Sequence, residues 1–167
     1  MKRLVVLVSA ALLLPACTLF KKKTHDEYAG VDGHDYVAGI PLGERGDGAS
    51  FLSSNVTRNQ FEPVHFAFDS YAVSGEEMYK IHAVADAMRS TGNTVIIAGF
   101  TDERGTEEYN RGLGEKRALA VREALSGAGI RAHRIQTVSF GKEMPVDPAS
   151  NESAWAKNRR AEFGIVK

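Results

Sequence analysis

Residues 94–118 read TVIIAGFTDERGTEEYNRGLGEKRA, and this stretch decides the fold. Thr94-Val95-Ile96-Ile97-Ala98 is nearly all apolar, which suits a strand buried on both faces. The polar loop Thr101-Asp102-Glu103-Arg104-Gly105 follows. A helix is expected from about Thr106, with Gly114, Ala118, Val121 and Leu125 on its core stripe and a stop near Gly127-Ala128-Gly129.

Working outward, Val64, Phe66 and Phe68 alternate with His65 and Ala67, the period of a short strand. Ser74-Gly75-Glu76-Glu77 has the spacing of a capping box. Met78, Ile81, Ala85 and Met88 follow at helical intervals, so a helix is expected to about Arg89, stopped by Thr91-Gly92-Asn93. Downstream, Ile135 to Phe140 alternates as a strand, and a Pro- and Ser-containing stretch with Trp155 precedes a last strand from Ala161 to Val166. The order β-α-β-α-β-(α)-β predicts an α/β (α+β) two-layer sandwich with helices packed on one mixed sheet. Right-handed crossovers make the two helix-linked joins parallel wherever those strands are neighbours.

The remainder of the chain reads differently. Lys2 and Arg3 precede an apolar run from Leu4 to Leu14, and Leu14-Pro15-Ala16-Cys17 brings small and apolar residues up to the single cysteine. Residues 1–16 are therefore expected to be a lipoprotein signal peptide, with Cys17 lipidated, although Pro15 departs from the usual lipobox residue. An uncleaved anchor is the weaker reading, because the run is about half of the roughly 20 residues a spanning helix needs. Residues 17–60 are rich in Gly, Asp, Ser and Asn and are expected to form a lipidated N-terminus and flexible tether, reaching roughly 35–40 Å as a loose coil. His25 and His34 fall within it and are expected to be solvated, while His65, His82 and His133 are expected at surface or half-buried positions. Residues 61–167 form the expected globular domain.

Hydrophobic residues make up 43% and charged residues 25%, the balance of a globular chain. With 21 basic and 21 acidic residues there is no basic field to attract nucleic acid. No HExxH, no Cys/His cluster and no glycine-rich phosphate loop is present in the sequence, so no metal or nucleotide cofactor is expected.

Residues 99–118, with Phe68-Asp69, Ser139-Phe140-Gly141-Lys142-Glu143 followed by Pro145, and Asn158-Arg159-Arg160-Ala161, resemble the OmpA-like C-terminal domain family, most closely its peptidoglycan-associated lipoprotein (Pal) branch. The resemblance implies non-covalent binding of the peptidoglycan stem peptide through its diaminopimelate residue. Asp102, Asn110, Leu113, Arg117 and Arg159 fall on the family's ligand-binding positions, with Asp69 at the rim. Diaminopimelate ends in an ammonium and a carboxylate. Asp102 could accept from the first, and Arg117 could meet the second bidentately. Asn110, Leu113 and Arg117 lie at i, i+3 and i+7, on one stripe running back toward the loop.

Each residue also has an ordinary structural role open to it. Asp102 can cap the loop, Asn110 can brace it, Leu113 can be core, and Arg159 and Arg160 can be an ion-pair cluster. Phe100 stands where the branch usually has His, which removes a polar nitrogen from any contact there with a ligand or protein partner.

The resemblance further implies a lipid-anchored outer-membrane protein facing the periplasm, linking membrane to wall. It would be the Pal component of a Tol-Pal system in cell division, with TolB and other Tol proteins as partners. Thr18 after Cys17, rather than Asp, fits outer-membrane sorting. Two other classes remain open: an interaction hub of the envelope, and a wall-degrading enzyme. The second needs a paired acid and base or nucleophile. The loop carboxylates Asp102, Glu103, Glu107 and Glu108 look more like capping and solvating groups.

Overall fold

A computed structural model describes the chain from Gly48 to Lys167, with the backbone of the short antiparallel pair β1 (Tyr36–Val37) and β2 (Ile40–Pro41) before it. The expected signal peptide, Cys17, His25, His34 and, β1 and β2 apart, the rest of the expected tether before Gly48 lie outside the described residues.

The elements that follow are α1 (Gly48–Leu52), β3 (Val56–Thr57), β4 (Val64–His65), α2 (Met78–Arg89), β5 (Thr94–Phe100), α3 (Glu107–Gly127), β6 (Ile135–Gly141), α4 (Glu152–Asn158) and β7 (Arg160–Val166). They build a mixed sheet of order β3-β7-β5-β6, with β4 sharing β7's outer edge beside β3. β5 and β6, joined by α3, run parallel as expected. β4 and β5, joined by α2, are not neighbours: β7 lies between them, antiparallel to both. The chain's last strand thus fills the gap left by its first crossover.

Strand β5 is buried from Val95 to Phe100, and its alternation divides the core. Val95 and Ile97 face one side with Ile81, Val84, Met88, Ala118, Val121 and Leu125 from α2 and α3. Ile96, Ala98 and Phe100 face the other side with Val138, Phe140, Phe51 and Val56. The two-layer α/β sandwich is therefore present, and α1 adds a small cover on the second face. That cover comes from residues ahead of the expected boundary at residue 61. Phe51 is 1% exposed, its ring 5.8 Å from that of Phe140, and Val56 pairs with Val166 of β7. Two apolar residues inside a polar, glycine-rich stretch leave no periodicity to read, yet they complete the sheet's back face.

Two local expectations also change. Ser74 makes no side-chain cap, and Glu77 instead accepts from the backbone N–H of His65 at 2.7 Å and from Lys80 Nζ at 2.9 Å. The first strand ends at His65: Phe66 N–H still donates to the carbonyl of Arg159 at 3.0 Å, but the Arg159 N–H turns back to the carbonyl of Trp155 at 3.0 Å. Phe68 is left 61% exposed.

A close approach sets α3 against β5. A Cβ added at Gly99 would lie 1.9 Å from the carbonyl oxygen of Gly114, and one at Gly114 would lie 2.4 Å from Ser139 Oγ. Only glycine at both positions lets the helix backbone rest on the strand. This contact fixes the stripe that carries Asn110, Leu113 and Arg117 beside the end of β5.

Candidate functional site

A cleft of about 230 Å³ opens where β5 runs into the loop before α3. Asp69, Asp102, Asn110, Leu113 and Arg117, five of the six residues expected to bind ligand, line it together with Phe68, Thr101, Arg104, Gly105 and Tyr109. Helical spacing does bring its three residues to the same mouth as the loop. The sixth, Arg159, lies behind Asp102 rather than in the cleft wall. Its Nη1 reaches Asp102 Oδ2 at 3.4 Å, Nη2 reaches Glu152 Oε1 at 2.7 Å, and Nε donates to the carbonyl of Phe66 at 3.1 Å.

Asp102 is the electrostatic centre. It is buried, and Arg104 forks onto it, with Nε to Oδ1 at 3.1 Å, Nη2 to Oδ2 at 2.6 Å and the backbone N–H to Oδ1 at 3.2 Å. Burial alone would favour the protonated acid. The hydrogen bonds from Arg104, helped by Arg159, outweigh it and hold the carboxyl below its ordinary range. Asp69 sits at φ 52°, a left-handed turn that Asp tolerates, and accepts from the hydroxyl of Tyr109.

Arg117, expected to meet a ligand carboxylate bidentately, lies in the cleft wall with three of its donors turned to backbone carbonyls. Its side chain is fully buried. Nε donates to the carbonyl of Ser70 at 2.9 Å, Nη1 to Phe100 at 2.8 Å and Nη2 to Ala67 at 3.3 Å. The guanidinium also lies 5.1 Å from the Phe66 ring centroid. Burial lowers its pKa to about 10, against the opposing pull of Asp102, and it remains cationic at neutral pH. Arg117 therefore staples the Ala67–Ser70 turn and the end of β5 to α3, and lends the cleft its charge through the wall. Asn110 is likewise a brace: buried, it donates from Nδ2 to the carbonyl of Arg104 at 2.8 Å.

Phe100 does not face the cleft. It is 2% exposed on the opposite side of the sheet, stacked 5.2 Å from Phe140 with the Arg160 guanidinium 3.9 Å over its other face. A substitution there alters the back-face core and not the ligand surface. His65 is half-buried, and His82 and His133 are exposed, as expected.

Residue patterns alone did not single out Phe68, Arg104, Tyr109 or Trp155. The Arg104 Cζ lies 4.1 Å from the ring centroids of both Phe68 and Trp155, and the Trp155 indole N–H donates to Glu103 Oε1 at 3.0 Å. The one available signal was Arg104 two residues after Asp102, the spacing of an Asp side chain accepting from its own loop. Among the described residues, no group of three or more His, Cys, Asp or Glu could hold a metal ion. Likewise, no helix among them is long and apolar enough to cross a membrane.

The chain belongs to the OmpA family, whose model matches residues 65–159. It is 43% identical over 105 residues to the peptidoglycan-associated lipoprotein of Pasteurella multocida, covering 62% of this chain and 70% of that one. It is 34% identical over 163 residues to the protein of the same name from Legionella pneumophila, covering 96% of this chain and 93% of that one. The crystal structure of the peptidoglycan-associated lipoprotein from Burkholderia pseudomallei superposes with a TM-score of 0.60 at 44% identity, covering 62% of this chain and 88% of that one. The C-terminal domain of Helicobacter pylori MotB shares the fold, with a TM-score of 0.59 at 23% identity and coverage of 64% of this chain and 84% of that domain.

Proposed function

We propose that this protein is a lipid-anchored envelope protein that binds peptidoglycan non-covalently, taking the diaminopimelate end of a stem peptide into the Asp102 cleft. The observation that carries the reading is a buried, ionised carboxylate inside a cleft with partly apolar walls, in a chain whose relatives are named for peptidoglycan association. In this reading Asp102 accepts from the ligand ammonium, and Asp69 offers a second acceptor at the rim. Leu113, Phe68 and Tyr109 cover the aliphatic chain. Arg117 and Arg159 hold the shape and charge of the site from behind, while Asn110 holds the loop.

The finer reading adds acylation of Cys17, the outer membrane as the anchored surface with the domain facing the periplasm, and a role beside TolB and other Tol proteins in cell division. Phe100 is neutral to that partnership, because its ring is not at the surface.

We read the domain as a binder rather than a wall-cleaving enzyme. Asp102 is engaged by two arginines, Glu103 by Trp155, and Glu107 lies 3.6 Å from Arg111. None of these is poised as a free acid or base.

The test is co-sedimentation with purified sacculi. The parent protein pellets, Asp102→Asn stays in the supernatant while remaining folded, and free meso-diaminopimelate competes where N-acetylated diaminopimelate, which has no free ammonium, does not. Pelleting of Asp102→Asn equal to the parent overturns the site, and release of soluble muropeptides by the pure protein overturns the non-enzymatic reading.

A further inference from the structure

The cleft is already occupied by a cation from its own loop. A carboxylate offers about four acceptor positions, and four N–H contacts take those of Asp102. The Arg104 backbone N–H and Nε are on Oδ1, while Arg104 Nη2 and Arg159 Nη1 are on Oδ2. These two arginines are not equally fixed. Arg159 is buried and held on its far side by Phe66 and Glu152. The Arg104 side chain is 31% exposed, and its guanidinium lies 4.1 Å from the ring centroids of both Phe68 and Trp155, with Glu152 at 3.9 Å. A planar cation forked onto a carboxylate and set against two aromatic rings gains both charge-assisted hydrogen bonds and cation–π attraction.

We propose that Arg104 is the gate of the cleft, an internal cation that an incoming ammonium must displace from Asp102 and from the slot between Phe68 and Trp155. The proposal rests on the reading of Asp102 as the ammonium's acceptor, and it assigns to Arg104 the selectivity of that site. A small cation alone replaces one fork with one point charge and leaves the stacking unreplaced, so it does not open the gate. A stem peptide brings an ammonium together with an aliphatic chain and further polar groups, and compensates for the whole contact. The affinity measured for it is then the affinity of the open cleft multiplied by the fraction of molecules with Arg104 swung out. Trp155 comes from α4, distant in sequence, and its indole is tied to Glu103 of the same loop, so the slot holds the loop closed from both ends.

Calorimetric titration of the full chain with a diaminopimelate-containing stem tripeptide tests this on the parent, Arg104→Gln and Trp155→Leu. Both variants bind about tenfold tighter than the parent, the gain expected if roughly one molecule in ten of the parent is open. Trp155 is the single tryptophan, so its fluorescence shifts on saturation of the parent as the guanidinium leaves the ring, and the shift is lost in Arg104→Gln. Binding equal to or weaker than the parent in both variants overturns the gate while leaving Asp102 as the acceptor. Failure of the parent and both variants to bind, with all three folded, overturns the underlying reading of the cleft and the gate with it.

Discussion

Arg117 Nη1 donates to the carbonyl oxygen of Phe100 at 2.8 Å, tying the middle of α3 to the last residue of β5. A side chain expected to meet ligand thus also serves as a strut behind the cleft. Removing the strut should therefore cost stability as well as binding. Arg117→Ala removes the side-chain donor from the carbonyls of Ala67, Ser70 and Phe100, of which Ala67 keeps the Ser70 N–H, and is expected to lose about 3 kcal/mol in urea unfolding. Asp102→Asn keeps one acceptor but sets an amide NH2 against an arginine donor, and is expected to lose less, about 1–3 kcal/mol. Equal stability of Arg117→Ala and the parent would show that the three carbonyls find other partners.

Asp102 sets an acid limit on the fold. Its folded pKa lies below the ordinary 3.8 despite burial, because Arg104 and Arg159 favour the charged form. The stabilisation is fully present above that ordinary value and is lost as pH falls through the depressed folded pKa, since the unfolded chain takes up the proton first. Glu77 is depressed in the same direction: burial opposes ionisation, but the hydrogen bonds from the His65 backbone and Lys80 prevail. Thermal melts of the parent and Asp102→Asn between about pH 7 and about pH 2 should converge only at the acid end.

The contact between Gly99 and Gly114 gives a steric test with its own control. Gly99→Ala puts a methyl group 1.9 Å from a backbone oxygen that has no rotamer to move, so α3 must lift from the sheet. A loss of about 3 kcal/mol or more in urea unfolding, with loss of sacculus binding, is expected. Gly112, in the same helix, has nothing within 4 Å of an added Cβ, and Gly112→Ala should gain about 0.5–1 kcal/mol.

Phe51 tests where the domain begins. Phe51→Ala should cost about 3–5 kcal/mol, the loss expected for a large ring removed from a closed core. A chain starting at Phe61 should melt lower than one starting at Gly48. Equal melting temperatures would return residues 48–60 to the tether.

What was legible in the sequence follows the range of the interactions. The alternation of β6, the apolar run of β5 and the 3.6-residue stripe of α3 are local, and they carried Asp102, Asn110, Leu113 and Arg117 to one place. Glu77 fits a capping box by spacing and does something else, because a strand edge supplies the His65 N–H that no local pattern reports. The role of Arg104 was hidden for the same reason: it depends on Phe68 from one turn and Trp155 from another helix, meeting only in the fold. Arg117 shows the converse. Spacing located it and residue type suggested a donor for ligand, but neither reports the three backbone carbonyls that the same guanidinium serves.

The docking of α1 and β3 has a mechanical consequence. Tension arriving from the residues before Gly48 enters the domain at Phe51 and at the two-residue ladder Val56–Val166 and Thr57–Ile165, on the edge of the sheet away from β6. β3 is the shortest pairing on that edge together with β4, whereas β5 holds β7 over six residue pairs from Thr94 to Gly99. A steady pull applied there is expected to peel β3 and unseat Phe51 before it disturbs β5 or the cleft. Under such a load the segment would yield length first, with the cleft beyond it unchanged.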